Sequence, residues 1–87
     1  MQIFKSKELK TRQEAADFLH QLAEKVAGGK VQIMQNTEEV FLNLPEEVIL
    51  EVEVKNKEKG RRGMQQKLEL EIKWYEGGQG YGPTEIR

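Results

Sequence analysis

Val48-Ile-Leu-Glu-Val-Glu-Val-Lys55 and Lys67-Leu-Glu-Leu-Glu-Ile-Lys-Trp74 decide how this sequence folds. In the first stretch Val48, Leu50, Val52 and Val54 alternate with Glu51, Glu53 and Lys55. In the second, Leu68, Leu70, Ile72 and Trp74 alternate with Lys67, Glu69, Glu71 and Lys73. Successive side chains of a strand point to opposite faces, so a strict period of two describes strands with one apolar and one wet face. The charged linker between them, residues 56–63, carries two glycines and turns the chain back.

Working toward the N-terminus, Pro45 stops a strand over residues 39–44 that turns Val40, Leu42 and Leu44 inward. Only a few residues separate it from Val48, so the two are expected to form a tight antiparallel hairpin. Residues 30–35 form another strand, with Val31 and Ile33 on one face, and residues 36–38 make a polar turn. Before them lies the clearest helix in the chain. Thr11-Arg-Gln-Glu14 is a capping box. Ala15, Phe18, Leu19, Leu22, Ala23 and Val26 follow at spacings of three and four, a single apolar stripe. Gly28-Gly29 ends the helix. Residues 2–5 are expected as a short first strand through Ile3 and Phe4.

The expected fold is therefore α+β: one amphipathic helix packed on one face of a mostly antiparallel four- to five-stranded sheet, in the order β-α-β-β-β-β. Residues 1–75 are expected to form a single domain. Residues 76–87, rich in glycine, are expected to be a flexible tail.

At 87 residues the chain suits one domain. Its 14 basic and 15 acidic residues leave a net charge of −1, too little for a general field that attracts nucleic acid or anionic membrane. The absence of cysteine removes disulfides, thiolate metal sites and thiol nucleophiles. It also favours a cytoplasmic setting. The first residues lack the apolar run of a signal peptide, and no stretch approaches the ~20 apolar residues of a membrane span.

Four segments in this order carry a resemblance: Glu14-Ala-Ala-Asp-Phe-Leu19, Leu22-Ala-Glu-Lys-Val26, Leu44-Pro-Glu-Glu-Val48 and Leu68-Glu-Leu-Glu-Ile-Lys-Trp74. Over residues 2–75 the chain resembles the amphi-Trp domain family of bacteria and archaea. The resemblance implies a prokaryotic protein with the fold just described. The family is of unknown function, so it supplies no catalytic residue to carry over. Lys73 departs from the acidic residue more usual there, and the glycine-rich tail stands outside the resemblance.

Candidate chemistry is sparse. His20, the lone histidine, has no cysteine beside it and only Ser6 as a serine to activate, so it reads as a surface residue rather than a base. Glu51, Glu53, Glu69 and Glu71 share a wet strand face, but strand carboxylates project in parallel instead of converging on a cation. Pairing Lys55 with Glu69 and Glu51 with Lys73 across the strands would account for them. Trp74 is expected to close one end of the core beneath the helix.

Two surfaces stand out as candidates for binding. Met34, Phe41, Ile49 and Tyr75 fall, by alternation, on the face opposite the core and form a candidate partner patch. Lys55, Lys57, Lys59, Arg61 and Arg62 crowd the linker and could contact phosphates. The expectation is a non-enzymatic interaction or scaffold module with no cofactor and no metal, acting on an unknown protein partner. The alternative is a nucleic-acid-binding protein using the basic hairpin loop 55–62. A monomer is expected ahead of a homodimer, and any dimer is expected to use sheet margins or the Met34-Phe41-Ile49-Tyr75 face.

Overall fold

The computed structural model describes residues 1–76; the segment expected as a tail lies outside them from residue 77 onward. In chain order the elements are α1 (Arg12–Ala27), β1 (Lys30–Gln35), β2 (Glu38–Asn43), β3 (Ile49–Glu58), one 3₁₀ turn (Gly60–Arg62) and β4 (Met64–Lys73). The class is α+β, with all pairing antiparallel. The strands form two two-stranded sheets, β1–β2 and β3–β4. They belong to two compact units, Met1–Glu46 and the chain from Glu47 on.

The helix comes first, which corrects the expected leading strand. Among the described residues nothing pairs with residues 2–5; Ile3 is exposed and Phe4 only half-buried. A strand needs a neighbour for its amides and carbonyls, and two apolar residues do not secure one.

In the first unit, α1 starts where its sequence directs. The Glu14 amide donates to Thr11 Oγ1 at 3.0 Å, and the Thr11 amide donates to Glu14 Oε1 at 3.1 Å. Two helix-end donors with no partner inside the helix are thereby satisfied. At the other end the Gly28 amide donates to Glu24 O, and Gly29 turns left-handed at φ 80°. The Gly29 carbonyl then accepts the Leu44 amide at 2.8 Å, tying the end of β2 to the end of the helix.

Helix α1 packs on β1. Val31 is the one buried hydrophobic residue among those described, with Leu22, Val26, Ile33, Val40, Leu42 and Leu44 half-buried. The register pairs Val31 with Leu42 and Ile33 with Val40 on one face, as the alternation requires. Gln32 pairs with Phe41, and Met34 with Glu39, on the other. Asn36, at φ 54°, makes the tight turn between the strands.

The second unit is a long ribbon of two ten-residue strands, β3 and β4. Leu50 faces Ile72, Val52 faces Leu70, and Val54 faces Leu68 on one side. Three expectations are corrected here. First, a single shared sheet is not shown: β1 pairs with β2, and β3 with β4. Pro-Glu-Glu contains no residue suited to the positive φ of a two-residue hairpin, and the Leu44 amide is committed to Gly29.

Second, the ribbon register is displaced by two residues from the one that would match charges. Glu51 faces Glu71, Glu53 faces Glu69 and Lys55 faces Lys67. Third, the basic linker begins later than expected, because β3 runs on to Glu58. Lys55 and Lys57 lie on β3, and only residues 59–63 form the loop. There the Lys59 amide donates to Gly63 O at 2.8 Å, with Gly60 and Gly63 at φ 60° and 81°. This closed five-residue loop sets the register, and the charges adapt to it.

Candidate functional site

The ribbon has a face of each kind. On the apolar face the backbone alternation brings Leu50, Val52, Val54, Leu68, Leu70 and Ile72 together. These were expected in the core, yet Val52 is 55 % exposed, Leu68 69 % and Val54 74 %. Within this unit no element lies over them. On the opposite face, Glu51, Glu53 and Glu69 are half-buried. The charged face is thus better covered than the apolar one, an inversion of the usual arrangement. Trp74 follows β4, half-buried, and by alternation continues the side of Ile72.

The charged face meets its like-charge pairs with diagonal and along-strand contacts. Lys73 Nζ lies 2.8 Å from Glu51 Oε2 and 3.7 Å from Glu71. Lys55 lies 3.0 Å from Glu53, and Lys67 lies 3.3 Å from Glu69. The hydrogen bond from Lys73 holds the Glu51 carboxyl below its ordinary value, and that to Glu53 raises Lys55. The four carboxylates are therefore engaged by lysines. Among the described residues no group of three or more potential ligands is placed to hold a metal ion.

Lys59, Arg61 and Arg62 project from the loop at the ribbon tip, all exposed and without an ion pair among the described residues. Lys57 lies one strand position behind them, whereas Lys55 is neutralised by Glu53.

In the first unit, Met34 and Phe41 are 65 % and 66 % exposed on the outer face of β1–β2, beside Gln32 and Glu39. Gln32 donates to Met34 Sδ and to Glu39 there. The other two members of the expected patch belong to the second unit: Ile49 lies on the charged side of β3 opposite Lys73, and Tyr75 follows β4. A groove of about 260 Å³ between α1 and β1 is lined by Phe18, Leu22, Val31 and Met34 among others. His20 is exposed on α1.

Among the described residues no hydrogen bond links His20 to Ser6. What the chain does present is an amphipathic ribbon ending just before a tryptophan, preceded by a capped amphipathic helix. A family model described as "Amphi-Trp domain" matches residues 1–87. The chain belongs to the Amphi-Trp domain family. The match spans the glycine-rich segment as well. Comparison with curated proteins and with solved structures finds no match in either.

For an Amphi-Trp chain, then, the interaction surfaces must be read from geometry. Alternation identified which side chains share the ribbon's apolar face. It carries no signal of what covers that face, because period two specifies orientation and not cover.

Proposed function

We propose that this Amphi-Trp domain is a non-enzymatic, cytoplasmic interaction module of a prokaryotic cell, and that its working surface is the apolar face of the β3–β4 ribbon. The observation that carries the reading is the exposure of Leu50, Val52, Val54, Leu68 and Leu70 on one continuous strip. A two-stranded ribbon is marginal in water by itself. A strip of this kind, roughly 500 Å², equals the largest apolar patch that a typical monomer tolerates. A folded ribbon of this composition therefore needs a cover, and a partner chain supplies one.

The competing cover is internal, a single four-stranded sheet with α1 across it. A photo-crosslinking residue placed in cells at Val52, with Glu53 as its control, separates the two. The interaction reading predicts cross-links to another polypeptide from position 52 and few from position 53. Cross-links from position 52 confined to residues of the same chain would contradict it.

A second reading, nucleic-acid binding, is favoured by Lys59, Arg61 and Arg62 on the closed loop. Phosphate contacts release counterions, so binding would weaken steeply with salt. On that reading Arg61→Ala with Arg62→Ala flattens the salt slope of a mobility shift without changing the fold. Failure of the parent to shift DNA or RNA at low salt removes the reading.

A further inference from the structure

The ribbon is polar from end to end as well as from face to face. Its tip carries Lys57, Lys59, Arg61 and Arg62 against a single Glu58. Its base carries Glu47 and Glu76, while Lys73 at that end is held by Glu51 and Glu71. A ribbon that meets a copy of itself side by side in the same direction sets basic tip against basic tip. Meeting it head to tail brings each basic tip toward the acidic base of the other.

Resting on the interaction reading above, we infer that the partner is a second copy of this chain, joined apolar face to apolar face with the two ribbons antiparallel about a two-fold axis. Two observations select this occupant. The first is the end-to-end charge, which a two-fold antiparallel pairing complements at both ends at once. Such an interface is self-complementary, and one strip provides both sides of it.

The second is area. Two strips of roughly 500 Å² remove on the order of 1,000 Å² from water, the level at which a specific interface becomes stable.

Strip length fits as well. Positions 50–54 of β3 and 68–72 of β4 centre on the Val52–Leu70 pair. Superposing these centres in opposite directions stacks apolar side chain on apolar side chain. Beyond them lie Asn56 and Gln66, polar residues on the same side that mark the end of the strip.

Sedimentation of the purified full chain over a wide concentration range tests the inference, with three variants. The parent is expected to form a concentration-dependent dimer. Val54→Lys is expected to shift it to monomer by at least tenfold in dissociation constant, with the helical signal of α1 retained. Arg61→Glu with Arg62→Glu is expected to weaken the dimer several-fold at low salt. Adding Glu47→Lys and Glu76→Lys to that chain is expected to restore it, and misfolding cannot mimic such a rescue.

A dimer that Val54→Lys leaves intact overturns the inference, as does a charge reversal that the compensating pair fails to rescue. A purified monomer whose position 52 still cross-links to a foreign chain in cells also overturns it, while leaving the interaction reading standing. A purified monomer with cross-links only to itself ends both.

Discussion

Thr11 and Glu14 satisfy each other's amides at the entrance to α1, at 3.0 and 3.1 Å, and neither contact depends on the rest of the fold. Thr11→Ala removes the acceptor for the Glu14 amide and is expected to destabilise the protein by ~1 kcal/mol in chemical denaturation. A helix beginning elsewhere would leave the midpoint unchanged. The same pair creates a pH dependence. Bonds from the Thr11 amide and hydroxyl hold the Glu14 carboxyl below its ordinary value of 4.5. A carboxyl with a depressed folded value stabilises above its unfolded value and loses that contribution as pH falls through the folded one. The parent should therefore lose stability on acidification below about pH 4.5, and Glu14→Gln should lose less over that window. A parallel decline of the two chains would show that Glu14 is not responsible. At the helix exit, a Cβ on Gly29 would meet Leu44 O at 3.4 Å with the backbone at φ 80°. Gly29→Ala is expected to cost about 1 kcal/mol or more, because the strain is in the backbone itself.

Among the elements, the helix was legible from residues alone. Its cap, its stripe from Ala15 to Val26 and its glycine stop are all local, and local signals survive whatever the remainder of the chain does. The faces of β3 and β4 were legible for a similar reason. Their register was not. Displacing the pairing by two residues keeps every side chain on its face, so apolar alternation is blind to it. The choice fell to the loop of residues 59–63, whose closure sets Glu51 against Glu71 and Glu53 against Glu69 in place of the charge-matched pairing. Strand pairing failed where it depended on absent neighbours. Residues 2–5 found none, and the hairpin expected across Pro45 lacked a turn residue. Lys73 illustrates how the charges accommodate the register, reaching diagonally to Glu51 at 2.8 Å. Lys73→Glu should lower the melting temperature by adding a fifth carboxylate to that face. High salt should narrow the difference, because exposed charges are screened. A difference insensitive to salt would point to packing instead.

At the scale of the whole molecule, the apolar side chains of β3 and β4 have no element of their own unit over them. Of the candidate patch, Met34 and Phe41 fall on one face of β1–β2, while Ile49 and Tyr75 belong to the second unit. The basic cluster narrows to a tip of Lys59, Arg61 and Arg62, with Lys55 drawn off by Glu53. No period in the sequence announces what covers a face, since cover is a property of what packs and not of what alternates. In the reading proposed here, the β3–β4 ribbon owes its stability to a second chain. Amide hydrogen exchange, followed as the purified protein is diluted, tests this most directly. Protection of the β3 and β4 amides is expected to fall on dilution while that of α1 stays the same. Protection of β3 and β4 that is strong and unchanged at concentrations where the chain sediments as a monomer would contradict it.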